Sequence, residues 1–276
     1  MKRKLFILSV SLNIVLSGIL CFGAYYKRDS IGSYANRIYN VVFNNNDESF
    51  EKTLLEFYQR PYQTNIKYKN IDQYEKKIKL AILGNSISLH GIIEGLWEYE
   101  SGMAASDLEH DYVHVLLNKI SEEKQRGIEY IVINIFAFER DFENFDQNQL
   151  EIIREFEPEI IIFQIGENVV TKTLNEKRET FIENYIELIK YCNGKNAIIC
   201  LPFWLDRERL NAITEVALKS GSYLVDLSHL GSGIEPLNFA RSERKFDHAG
   251  VGAHPGDYGM ENIAKVLYIT INKIIE

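Results

Sequence analysis

The chain has 276 residues, a formal net charge of −8, 46% hydrophobic residues and three cysteines. That length buries a sizeable core, and charged residues at 25% with only five prolines exclude a disordered or fibrous protein. The acidic balance argues against a general nucleic-acid binder, which needs clustered Lys and Arg to neutralise phosphates.

The charge is unevenly spread. Lys2, Arg3, Lys4, Lys27 and Arg28 are the only charged residues of the first 28, which leaves 26 basic against 39 acidic residues over 29–276, a net of −13. Between the two basic ends, Leu5 to Ala24 carries no charge. Twenty residues at about 1.5 Å of rise span roughly 30 Å, the hydrocarbon thickness of a bilayer. The segment therefore reads as a transmembrane anchor or a cleaved secretory signal. The length of the run, and Phe22-Gly23-Ala24 as a poor small-x-small cleavage site, favour the anchor. Cys21 follows Leu20, where a lipoprotein signal would carry a small residue. The positive-inside bias keeps the N-terminus cytoplasmic and places the chain after residue 28 outside, secreted if the segment is cleaved.

Residues 29–77 are polar and read as a juxtamembrane spacer with a helix, since Phe50, Leu54, Leu55 and Tyr58 fall at helical spacing. From Ile78 to the end the pattern changes. Short apolar runs, Ile78–Leu83, Tyr130–Ile135, Glu159–Ile165, Ala197–Leu201 and Tyr223–Leu227, are rich in Ile and Val, as strands buried on both faces should be. Amphipathic segments separate them. Ser106-Asp107-Leu108-Glu109 has the form of a capping box ahead of Val113, Leu116, Leu117 and Ile120 on one helix face. Phe181, Ile182, Tyr185, Ile186 and Ile189 make a second stripe, and Ile263, Ala264, Leu267 and Ile271 a third. This alternation specifies an α/β domain over 78–276 with a mainly parallel five-stranded sheet covered by helices. Cys192 and Cys200, at a helix end and in a strand, read as two buried free thiols.

In open α/β sheets, ligands bind beyond the carboxyl ends of the strands. The first strand ends in Leu83-Gly84-Asn85-Ser86, the third in Gln164-Ile165-Gly166-Glu167-Asn168, and His254-Pro255-Gly256-Asp257 precedes the last helix. A serine nucleophile needs a base, and acyl transfer needs donors for the developing oxyanion. Ser86, His254 and Asn168 are of the right types, in three loops that the topology brings to one edge.

These blocks resemble the SGNH or GDSL hydrolases, a family of serine esterases and acyl-transfer enzymes. Gly84-Asn85-Ser86 is similar to its Gly-Asp-Ser, with Asn85 in place of Asp. Gly102, in Ser101-Gly102-Met103-Ala104-Ala105-Ser106, would be its glycine amide donor. Gly166-Glu167-Asn168 matches its Gly-x-Asn, with Val169 where Asp is common. His254-Pro255 followed by Gly259 and Met260 fits its histidine block. The resemblance implies a three-layer flavodoxin-like sandwich, Ser86 as nucleophile, His254 as base, and an oxyanion hole from the amides of Ser86 and Gly102 with the Asn168 side chain. It implies no cofactor and no metal. The family's triad Asp would stand at Val251, so the group orienting His254 is open between a nearby backbone carbonyl and Asp247, the leading side-chain candidate. Asp257 better suits the cap of the final helix. The implied substrate is a small-molecule or glycan ester, with acetyl as the acyl group. An alcohol in place of water makes the same residues an O-acyltransferase.

Two rivals stand beside this reading. His110-Asp111-Tyr112-Val113-His114 resembles the zinc motif His-Glu-x-x-His, but Asp replaces the general base and no third ligand is evident. A noncatalytic glycan-binding surface protein would use Trp97, Tyr99, Phe203 and Trp204 for stacking, although core packing suits most of them better.

Overall fold

The computed structural model describes residues 62–94, 96–232 and 241–275. The proposed membrane segment 5–24 and the helix through Phe50 and Tyr58 lie outside them. Among the described residues no helix is long and apolar enough to cross a membrane.

The five apolar runs form five strands: β3 (Lys77–Gly84), β4 (Gly127–Asn134), β5 (Ile160–Gln164), β6 (Asn196–Leu201) and β7 (Tyr223–Asp226). They pair in parallel in the order β4-β3-β5-β6-β7. That is the doubly wound, flavodoxin-like order, whose direction of winding reverses between β3 and β5. The expected five-stranded parallel sheet is present, but the sheet as a whole has seven strands. The two extra ones, β1 (Tyr62–Gln63) and β2 (Lys67–Lys69), come from residues assigned to the spacer and pair antiparallel with β4. They cover the unpaired backbone that β4 would otherwise present at the sheet edge.

Side chains alternate across the sheet and fill two cores. Leu80, Ile82, Ile128, Val132 and Ile162 pack under α1 (Tyr112–Lys124) and the C-terminal helix Asp257–Ile274. Ala81, Leu83, Ile131, Ile133 and Phe163 face the opposite layer. That layer includes α2 (Phe136–Arg140), α3 (Glu151–Phe156), α4 (Thr171–Glu176), α5 (Arg178–Cys192) and α6 (Arg207–Ser220). After β7 come the single turn α7 (Ala249–Gly252) and α8 (Asp257–Ile274). Burial on both faces explains why the runs of the central strands β3, β4 and β5 are nearly continuous in Ile and Val, whereas the edge strand β7 is largely exposed.

Three local expectations change. The Ser106–Glu109 box does not start α1. Asp107 caps the short 3-10 turn Leu108–His110, and Asp111 caps α1 by accepting from His114 N. Asp257 does not cap α8, whose N-cap is Gly256. Its Oδ1 instead accepts from Ser106 N at 2.7 Å. His110 and His114 turn to different partners: His110 Nδ1 meets Asp107 at 2.7 Å, whereas His114 Nδ1 meets Asp111 at 2.8 Å. Tyr130 Oη lies on the other His114 nitrogen. No group of three metal-ligating side chains occurs among the described residues. Cys192 and Cys200 are both buried free thiols.

Candidate active site

The site forms where the carboxyl ends of β3 and β5 meet the loop before α8. Directly after β3 the chain makes one tight turn. Ser88 N and Leu89 N both donate to Asn85 O, and Ile87 N donates to Asn85 Oδ1 at 3.1 Å. This turn sets Ser86 at the sheet edge, half-buried. Gly84 is needed beneath it, because a Cβ there would sit 1.9 Å from Ser88 Oγ.

Ser86 Oγ lies 2.8 Å from His254 Nε2. The imidazole is 3% exposed, and its Nδ1 lies 2.7 Å from the carbonyl oxygen of Gly250 in α7. A carbonyl only accepts, so Nδ1 carries the proton and Nε2 is left as the acceptor for the serine hydroxyl. Trp204 closes one side of the ring, edge-on with centroids 5.2 Å apart. Burial pushes the His254 pKa from its ordinary 6.5 down to about 4, against the opposing pull of the Gly250 hydrogen bond.

Asp247 is exposed, and the carbonyl of Gly250 takes the position at Nδ1 for which Asp247 was the leading side-chain candidate. Val251, where the motif resemblance would place an Asp, is buried among Trp97, Met103 and Ala104. A carboxylate there would face an apolar cluster rather than the imidazole.

Asn168 follows β5 in a loop that Gly166 allows. Gly166 has φ +132°, and a Cβ on it would meet Ile213 Cδ1 at 2.4 Å. Gly102 is brought to the turn that carries Ser86, where the next amide, Met103 N, donates to Ser86 O at 2.8 Å. Its own N–H is aimed at Asp111 Oδ2, at 3.3 Å. Ser86, His254, Asn168 and Gly102 are thus gathered in the loops at one edge of the sheet, while Asp247 stands apart from the histidine's hydrogen bonds.

Two acids that the sequence did not single out lie below this edge. Glu139, in α2 after β4, and Glu167, in the β5 loop, are both buried. Asn85 Nδ2 donates to Glu167 Oε2 at 2.7 Å and to Glu139 Oε1 at 3.2 Å. Glu167 Oε1 also accepts from Gln164 Nε2 and Phe203 N. Burial raises the pKa of both carboxyls, and Glu167, further repelled by the charge of Glu139, reaches about 7. The available signal was an acid one turn beyond a strand's carboxyl end, Phe138-Glu139 after the run Tyr130–Ile135.

No protein-family model matches the chain, and no curated protein does. Solved structures similar to it include an acetyl xylan esterase, at 16% identity and a TM-score of 0.48 over 70% of this chain and all of that one. Another is a lipase/acylhydrolase from Enterococcus faecalis, at 15% identity and a TM-score of 0.43, covering 70% and 95%. A third is a protein from Bacillus subtilis, at 17% identity and a TM-score of 0.49, covering 72% of this chain but 57% of that one.

Proposed function

We propose that this chain is a serine esterase of the SGNH or GDSL type that removes an acyl group, acetyl foremost, from an ester carried by a surface glycan. The observation that carries the reading is the Ser86 Oγ to His254 Nε2 distance of 2.8 Å, with Nδ1 occupied by the Gly250 carbonyl. This is a nucleophile beside a base of fixed tautomer, within the reach that proton transfer requires.

The chemistry follows from the arrangement. His254 takes the hydroxyl proton of Ser86 through Nε2 as the oxygen attacks the ester carbonyl. Negative charge develops on the carbonyl oxygen and is met by the Ser86 amide and the Asn168 carboxamide. Gly102 joins them once its 3.3 Å contact with Asp111 yields. His254 then protonates the departing alcohol, and a water deprotonated by the same nitrogen releases the acid from Ser86. The Gly250 carbonyl orients the ring and stabilises imidazolium as a dipole rather than a full charge.

The choice of acetyl and of a glycan carrier rests on the motif resemblance and on the predicted membrane anchor at 5–24, which sets the domain outside the cell. Transfer to an alcohol instead of water would use the same residues. The test is turnover of p-nitrophenyl acetate by the full-length chain in detergent, beside Ser86→Ala. Loss of turnover in the variant is expected. Equal turnover by both proteins removes Ser86 as nucleophile.

A further inference from the structure

Glu139 is 1% exposed, and its carboxylate accepts four hydrogen bonds from N–H donors. Oε1 accepts from Gly166 N at 2.6 Å, Asn168 N at 3.1 Å and Asn85 Nδ2 at 3.2 Å, and Oε2 accepts from Asn168 Nδ2 at 2.8 Å. Asn85 belongs to the turn that carries Ser86, whereas Gly166 and Asn168 belong to the loop after β5. One carboxylate therefore fastens both halves of the site. It holds Asn168 at two points, the backbone N–H and the side-chain amide, so the plane of the carboxamide is fixed. One Nδ2 hydrogen is spent on Glu139, which leaves the other to meet substrate.

A carboxylate suits this role, since it accepts at every lone pair, and these N–H donors oppose the upward push of burial on its pKa. A Gln at the same place would set its own NH₂ against one of these donors. Burial of the charge is costly, and the four N–H contacts, each strengthened by that charge, offset it.

We propose that Glu139 is a positioning residue, which orients the Asn168 side chain toward the oxyanion and sets its relation to Ser86. The proposal rests on the esterase reading of the site, and its experiment separates the two.

The full-length chain is compared with Glu139→Gln, Asn168→Ala and the double variant on p-nitrophenyl acetate, with thermal unfolding of each. Asn168→Ala is expected to lower kcat by about 10²- to 10³-fold, as loss of one oxyanion donor does. Glu139→Gln is expected to lower kcat by about 10- to 10²-fold, the scale of a misplaced group, with KM little changed. The double variant should be no slower than Asn168→Ala alone, because the two residues act as one. Additive losses, or a Glu139→Gln effect confined to KM, overturn the proposal. Should Glu139→Gln fail to fold, Glu139→Asp takes its place in the cycle, with the same outcomes decisive.

A second readout needs no turnover. In a ¹H–¹⁵N spectrum, the side-chain amide assigned by its disappearance in Asn168→Ala should show one downfield, exchange-protected proton in the parent chain. That proton should be lost in Glu139→Gln. An unchanged amide overturns the proposal even if Ser86→Ala has shown the chain to be no esterase, and a lost one supports it in either case.

Discussion

His254 Nδ1 and the carbonyl oxygen of Gly250 lie 2.7 Å apart, so a backbone group does the orienting that a triad carboxylate does elsewhere. The carbonyl belongs to the single turn α7, four residues before the histidine, and the turn continues until His254 N donates to Val251 O at 3.0 Å. The exposed Asp247 takes no part in this geometry. Asp247→Asn should therefore leave kcat within about twofold, whereas loss of a working triad carboxylate costs on the order of 10⁴-fold. Steady-state kinetics on an acetyl ester measure this. A loss beyond tenfold would restore Asp247 to the site.

The burial of His254 has a consequence for pH. Its pKa is lowered to about 4, so the imidazole is neutral, and able to accept a proton, far below the usual histidine range. The acidic limb of kcat/KM should fall with a midpoint near 4 rather than 6.5. Stability follows the same sign. Between about 4 and 6.5 the unfolded chain binds a proton at this residue that the folded chain does not. The contribution is present above 6.5 and is lost as pH falls toward 4. A pH series of kcat/KM with a midpoint at 6 or higher would contradict the neutral buried imidazole.

The parallel sheet was legible because each central strand is buried on both faces, which forces unbroken runs such as Ile160–Phe163. β1 and β2 were not, since Lys67-Tyr68-Lys69 lies at an edge with half of its surface wet and carries no apolar run. The serine and Asn168 could be read because their residue types follow glycines at strand ends, and the histidine because His254-Pro255 precedes the last helix. Glu139 could not. Its partners are 27, 29 and 54 residues away in the chain, and an acid in an amphipathic segment ordinarily points to water. For His254 the sequence offered a backbone carbonyl near Val251 beside Asp247 but could not choose between them, since every residue possesses a carbonyl; the structure has Gly250 O at Nδ1.

Glu167 provides a separate test on stability. Its pKa of about 7 means that the folded chain keeps a proton that the unfolded chain releases above the ordinary glutamate value of 4.5. A carboxyl with a raised folded pKa stabilises most at low pH and loses that contribution as pH rises through 7. Glu167→Gln removes the titrating proton and keeps an oxygen for Gln164 Nε2 and Phe203 N, while its amide faces Asn85 Nδ2 and lowers stability by an amount that does not vary with pH through 7. Chemical denaturation at a series of pH values should show the parent chain losing stability between about pH 5 and pH 8 and the variant losing less. Identical slopes would mean that Glu167 is ionised throughout.

Asn85 stands where the motif that Gly84-Asn85-Ser86 resembles has Asp, and two buried glutamates lie against its amide. Its Oδ1 caps the turn that carries Ser86 while its Nδ2 lies between Glu167 and Glu139, at 2.7 and 3.2 Å. An Asp keeps the cap but loses the donor, and sets a third acid against two buried carboxyls with no amide between them. Asn85→Asp should therefore destabilise the fold by about 3 kcal/mol or more, the scale of an uncompensated buried charge. The loss should be smaller at low pH, where carboxyls regain protons, and larger as pH rises through 7, where Glu167 ionises. Thermal unfolding at pH 5 and pH 8 checks both size and sign. A variant as stable as the parent at pH 8 would show that the two glutamates do not depend on the Asn85 amide.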